Sequence, residues 1–242
     1  GSDVVNHGSI KTNNNNVWVI SDSGNGSSQS DHLFNSGLMS AENTTIYAHP
    51  EGNTNDTSAD KPVFGFNHPE TAGYFDTALR ILNSGTIEAT STSEETNNTL
   101  YIDQSYYTTI LNRGNITAGY SGPIDLVEAT GATVFNQGII AAQSRLSVRG
   151  IDFYGGKQNH VINGKSGQIS ARNDTIYGDT AHDLAITNRG VFPGSKAYAI
   201  VYGQNIYNMA GGTIRGFENT ICYQQGGDRC GTHSGTFEVV NY

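Results

Sequence analysis

The sequence predicts an all-β fold, a right-handed parallel β-helix (β-solenoid) of about eight to nine coils, each of roughly 20–30 residues. The first observation behind this is a recurring phrase. Ile81 to Ala89 reads ILNSGTIEA and Ile110 to Ala118 reads ILNRGNITA: two apolar residues, Asn, a spacer, Gly, a spacer and Ile. The same frame returns as VVNHGSIKT from Val4, LFNSGLMSA from Leu33 and VFNQGIIAA from Val134. VINGKSGQISA from Val161 and IYNMAGGTIRG from Ile206 place two more residues between Asn and Gly, and ITNRGVF from Ile186 keeps Asn-x-Gly. The second observation is spacing. The Asn residues of the eight copies are Asn6, Asn35, Asn83, Asn112, Asn136, Asn163, Asn188 and Asn208, so the steps are 29, 48, 29, 24, 27, 25 and 20 residues. The third is composition. Thirty Gly and a large stock of Asn, Thr and Ser, with 36% hydrophobic and 14% charged residues, suit turns and stacked strands. Val, Ile, Leu, Tyr and Phe recur throughout, unlike the pattern of a solvated tail.

Each part of the frame has a physical reason. In a parallel solenoid each coil lies about 4.8 Å from the last, so equivalent residues form ladders along the axis. The apolar pair closes one strand. Asn takes the corner, where stacked side-chain amides can hydrogen-bond down the ladder and where Asn also tolerates left-handed backbone angles. Gly allows the positive φ or close approach that the turn demands. The Ile after it re-enters the core, and the ninth position reads Thr12, Ala41, Ala89, Ala118 and Ala142, a core-like series rather than the flat Thr array that ice binding needs.

Between the Asn phrases lie short alternating patches: VWVI from Val17, LYI from Leu100, IDLV from Ile124 and YAIV from Tyr198. The long step between Asn35 and Asn83 contains a Pro-containing stretch with few alternating apolar residues, which predicts a protruding insertion around 48–75. Helical spacing is nearly absent, and only YFDTALRIL from Tyr74 could form a helical turn. Residues 1–242 read as a single solenoid segment of a longer protein, because the phrase starts at Val4 and its first three positions return at Val239, Val240 and Asn241.

Cys222 and Cys230 enclose the short loop CYQQGGDRC. The direct reading is a local disulfide closing 222–230 in an oxidising compartment. A metal reading would recruit Asp228 and His233, but this crowding does not match the spacing of usual zinc sites, and free thiols are the remaining alternative. No cofactor is expected. The net charge of −9 and the absence of a basic stripe argue against nucleic acid. No apolar run approaches the ~18 residues needed to span a bilayer, so this segment is not expected to insert into a membrane.

The repeated Asn-x-Gly-x-Ile-x-Ala phrase with Asn/Thr/Ser-rich connectors resembles the passenger region of bacterial autotransporters and related secreted adhesins, over essentially the whole chain. The resemblance implies export through the outer membrane to the extracellular side of the bacterial surface, a shaft-like passenger, and adhesion, aggregation or toxin delivery. The late cysteine pair is similar to that of vacuolating-cytotoxin-like passengers. The implied partners are a receptor or glycan on a host or neighbouring cell, or further copies of the chain.

Catalysis is the competing expectation. Polysaccharide lyases and hydrolases on parallel β-helices need carboxylates converging on one face. Asp125 and Glu128 are candidates, with Asp152 and Asp174 about one coil on, although a separation of three along a strand predicts opposite faces for the first two. Asp179, His182 and Asp183 are the densest acid and imidazole cluster, and they also fit a turn. GNGSSQ from Gly24 lacks the second Gly of a nucleophile elbow. Thirteen Tyr against one Trp suit sugar stacking, and Tyr106, Tyr107 and Tyr154 are the candidate binding residues. The expectation is therefore a non-catalytic adhesin or passenger shaft. The alternatives are a polysaccharide-degrading or polysaccharide-binding β-helix of enzyme or phage-fibre type, and a toxin passenger.

Overall fold

The computed structural model describes residues 3–13, 17–21, 31–49, 79–92, 98–105, 107–143, 149–179, 183–194, 198–201, 205–216, 219–222 and 238–241. Among them the chain forms three sheets of nine, eight and eight strands, and neighbouring strands in each sheet come from successive coils. Every strand pairing among these residues is parallel. This is the β-solenoid that the phrase predicts. One coil shows the pattern: Thr109–Asn112 lies in the first sheet, Asn115–Ala118 in the second and Ile124–Val127 in the third.

The register follows the repeat residue by residue. Ile110 pairs with Ile81 and Val134, and Asn112 with Asn83 and Asn136. Because side chains alternate across a strand, one of the two apolar residues before Asn must point inward and the other outward. Leu33, Ile81, Ile110, Val134, Val161, Ile186 and Ile206 point inward and are fully buried. Ile87, Ile116, Ile140 and Ile169 fill the same interior from the second sheet. Burying each such side chain contributes about 1.5–3 kcal/mol, and only stacking of coils creates the space that buries it.

The eight Asn side chains form one continuous chain of amide hydrogen bonds. The Nδ2 of each of the first seven donates to the Oδ1 of the Asn one coil later, at 2.8 Å from Asn6 to Asn35 and 2.9 Å from Asn188 to Asn208. The same Nδ2 groups also donate to backbone carbonyls, as Asn112 does to Ile139 at 3.1 Å and to Gly114 at 3.2 Å. Buried amides that lost these partners would each cost about 1–3 kcal/mol, so the ladder fixes the corner geometry.

One detail of the frame differs from expectation. The ladder Asn residues do not adopt left-handed angles; among the described residues the positive-φ non-glycine ones are Gln104, Tyr107, Glu128, Gln158 and Asp183, at other corners. Of the two roles expected for the Gly after Asn, Gly85 and Gly114 serve close approach, because a Cβ on Gly85 would run into the Gly37 carbonyl and one on Gly114 into the Gly85 carbonyl. Leu79–Asn83 is a strand, so the second half of the possible helical turn from Tyr74 is extended. Pairing in the first sheet decides this, since Leu79 through Asn83 match Asp31 through Asn35. Ala48 and His49, at the near edge of the insertion expected around 48–75, complete the strand Ile46–His49; residues 50–75 lie outside the described residues, as do Gly24 to Gln29.

Candidate functional site

The third sheet carries a strip of functional side chains that its own register assembles. Ile46, Leu100, Ile124, Ile151 and Ile176 are fully buried and point inward. Alternation therefore turns the next residue of each strand outward. Those residues are Tyr47, Tyr101, Asp125, Asp152 and Tyr177, and they pair in that order, one per coil. The strip thus reads Tyr, Tyr, Asp, Asp, Tyr along the axis.

Its parts hold one another in place. The rings of Tyr47 and Tyr101 stack, with centroids 5.4 Å apart and planes 10° from parallel. Asn98 Nδ2 donates to Asp125 Oδ2 at 2.8 Å, and Asn98 Oδ1 accepts from the Gly122 amide at 3.1 Å, which orients the Asn98 side chain. Arg149 Nη1 donates to Asp152 Oδ2 at 2.5 Å. The guanidinium of Arg149 also lies 3.3 Å from the centre of the Tyr177 ring, a cation–π contact. Asn173 donates to Asp174, which is buried at the adjoining corner.

The two strip carboxylates sit in different electrostatic settings. Burial, then the charge of Asp152, pushes Asp125 up to about 7, and Arg149 and the Asn98 hydrogen bond only partly oppose this. Arg149 is raised although burial works against its charge, because the Asp152 carboxylate and its hydrogen bond outweigh that burial. Tyr101 is raised by burial and then by the nearby Asp103 and Asp125. The strip therefore contains one carboxyl that gains and loses a proton near neutrality beside one held in an ion pair.

A stability prediction follows from the sign of the Asp125 shift. Its folded value lies above its unfolded value, so the contribution of this group is fully present below about pH 4 and is lost as pH rises through about 7. Asp125→Asn keeps an oxygen for Asn98 and cannot ionise. The variant should match wild type near pH 4 and exceed it by about 2–3 kcal/mol at pH 8, as read from urea titrations at the two pH values. Equal stability of the two proteins at pH 8 would refute the assignment.

Of the predicted site residues, Tyr154 is 52% exposed and stands in the next outward column, in register with Val127 and, one coil further, Asp103. Tyr107 is at a positive-φ corner with its ring packed against Gly131, so it covers a turn. Tyr106 lies outside the described residues. Asp125 and Asp152 come together, Asp174 adjoins them through Arg149, and Glu128 is an exposed corner residue beyond the end of the Asp125 strand. Asp183 is exposed at another corner, while His182 and Cys230 lie outside the described residues, as do the side chains of Asp179 and Cys222. The disulfide expected between 222 and 230 therefore falls outside what the structure describes. Among the described residues no group of three or more His, Cys, Asp or Glu side chains could hold a metal ion.

Sequence reasoning missed Tyr47, Tyr101, Tyr177, Asn98 and Arg149. For the three tyrosines the signal is the residue after the inward Ile or Leu of each third-sheet strand, which aligning the connectors on that apolar residue would have exposed. The chain matches no family model, no curated protein and no solved structure.

Proposed function

We propose that this chain is the rigid shaft of a secreted, surface-exposed protein of the autotransporter-passenger kind, and that it attaches to a glycan on a host or neighbouring cell. The observation that carries the glycan contact is the in-register Tyr47, Tyr101, Asp125, Asp152 and Tyr177 strip. Aromatic faces take the apolar side of sugar rings, while the phenol and carboxyl oxygens accept hydrogen bonds from sugar hydroxyls. One such group per coil suits an extended chain lying along the axis. The acids favour a glycan without carboxylates of its own.

A glycan array followed by calorimetric titration of the best oligosaccharide tests this. Tyr101→Ala should weaken binding at least tenfold, about 1.4 kcal/mol, and Tyr154→Ala should weaken it less. Binding to no glycan, or full affinity in Tyr101→Ala, would sink the reading.

The Asp125 value of about 7 favours a second reading, glycoside hydrolysis. A protonated Asp125 would give its proton to the glycosidic oxygen as the C–O bond breaks, and the Asp152 carboxylate would serve as base or nucleophile. Release of reducing ends by wild type and its loss in Asp125→Asn would select this reading over passive attachment.

A further inference from the structure

The outward side of the first sheet differs in kind from the strip. The residue before each ladder Asn points out, and Val5, Phe34, Leu82, Leu111, Phe135 and Ile162 form an apolar column over six successive coils. Val5 is 58% and Phe34 39% exposed. A groove of about 250 Å³ opens over Phe34, Leu82 and Leu111, with His7 and Arg113 on its margin. Arg80, Arg113, Lys165 and Arg189 lie along the strands and Asn corners of this side, all at least partly exposed. Against them, among residues with described side chains, stand the outward Asp3, bonded to His32, the buried Asp31 and the exposed Asp183 at the corner before the Ala185–Asn188 strand. An acidic chain with net charge −9 therefore has an apolar, basic side.

The third-sheet side is the complement. Asp103 and Glu128 add negative charge beside the tyrosines, Asp125 adds to it when ionised, Arg149 is taken by Asp152, and Lys157 and Arg172 stand at the corners of this side. The two sides also match in height. Arg80 belongs to the coil of Asp103, Arg113 to the coil of Asp125 and Glu128, and Lys165 to the coil of Tyr177. We infer that the first-sheet side of one copy docks on the third-sheet side of a second copy, laterally and with the coils level.

Three arguments favour a second copy as the occupant. Only another array at the same ~4.8 Å pitch meets every coil in register. The charges oppose across this pairing, whereas two first-sheet sides would set cation against cation. Eight coils with a side ~13 Å wide give a flat footprint on the order of 500 Å² per copy, and thus a pair near the ~1,000 Å² total that a specific interface must clear. Such an interface is weak singly. Because the contact uses two different surfaces, it leaves a free first-sheet side and a free third-sheet side, so association continues beyond the dimer. Many copies on two facing surfaces then hold by multivalency.

Sedimentation velocity on the full chain over a concentration series tests this. Wild type should form a series beyond the dimer that weakens at high salt, since exposed charges are screened. Arg80→Glu with Arg113→Glu, and separately Asp103→Lys with Glu128→Lys, should each weaken association at least tenfold while keeping the wild-type circular dichroism melt. Mixing the two swapped proteins should restore association, which a folding defect in either would not allow. A monomeric wild type at every concentration, a series that stops at the dimer, or a mixture as monomeric as its components would each overturn the inference. A docked copy would cover the strip that the glycan reading uses, so the glycan titrations with and without Tyr101→Ala are made in the Arg80→Glu with Arg113→Glu background, whose third-sheet side is unaltered and left open, and their outcome is then independent of the sedimentation result.

Discussion

Asn112→Ala should cost about 3–5 kcal/mol, a large share of the stability of any solenoid of this size. Asn112 is fully buried and serves four partners: its Oδ1 accepts from Asn83 at 2.8 Å, and its Nδ2 faces Asn136 Oδ1 at 2.8 Å and the Ile139 and Gly114 carbonyls. Alanine removes both the acceptor and the donor. It takes the 2.8 Å acceptor from the Asn83 amide, which keeps the Asn115 and Gly85 carbonyls, and the 2.8 Å donor from the Asn136 oxygen, which keeps only the Gly138 amide at 3.3 Å, and it leaves the space of the amide empty; weakening two buried polar groups in this way costs up to about 1–3 kcal/mol each. Asn112→Asp should be worse at neutral pH, because a carboxylate can still accept from Asn83 but would face the Asn136 oxygen and two carbonyls with no proton to give. Urea titration with circular dichroism reads both. Loss of less than ~1 kcal/mol in Asn112→Ala would mean that the ladder is ornament to a fold held by its apolar interior.

Gly114→Ala should be at least as damaging, about 3 kcal/mol or failure to fold. The added methyl group would enter the Gly85 carbonyl and crowd the Ser84 backbone. Backbone atoms of a stacked coil cannot rotate aside as a side chain can, and the coils would have to separate locally, breaking the Asn112 and Asn83 contact beside them. The internal comparison is Gly8, which occupies the same frame position but would meet nothing within 4 Å. Gly8→Ala should lie within ~0.5 kcal/mol of wild type. Equal effects of the two substitutions would show that backbone entropy, rather than close approach, sets the cost.

Much of the first two sheets was legible because each coil repeats the same residue types at the same places. Asn112 and Gly114 announce themselves by recurrence, and Ile110 and Ile116 take their inward direction from alternation. Recurrence says where a glycine is needed without saying why, so the same phrase was compatible with positive φ at Gly85 when close approach is the reason. The strip on the third sheet was less legible. Tyr101, Asp125 and Asp152 differ in type from coil to coil, and the connectors before them vary in length, so only strand pairing brings them into one column. Arg149 was hidden further, because its roles depend on reaching Asp152 and Tyr177 from a corner. The strand at Leu79 was ambiguous for a related reason: its local spacing permits a helical turn, and the coil beneath it overrides that preference.

The amide ladder also has a sense. From Asn6 to Asn208 every amide-to-amide hydrogen bond of the ladder is given toward the later coil and never back. Each coil therefore presents its successor with the same socket, whatever lies on the outer faces. Loss or duplication of one whole coil leaves that sense intact, while a gain of half a coil puts the wrong group at the corner. The length of such a shaft can drift in whole-coil quanta, and its outer columns of tyrosine, acid and base can drift independently of the thread that joins them.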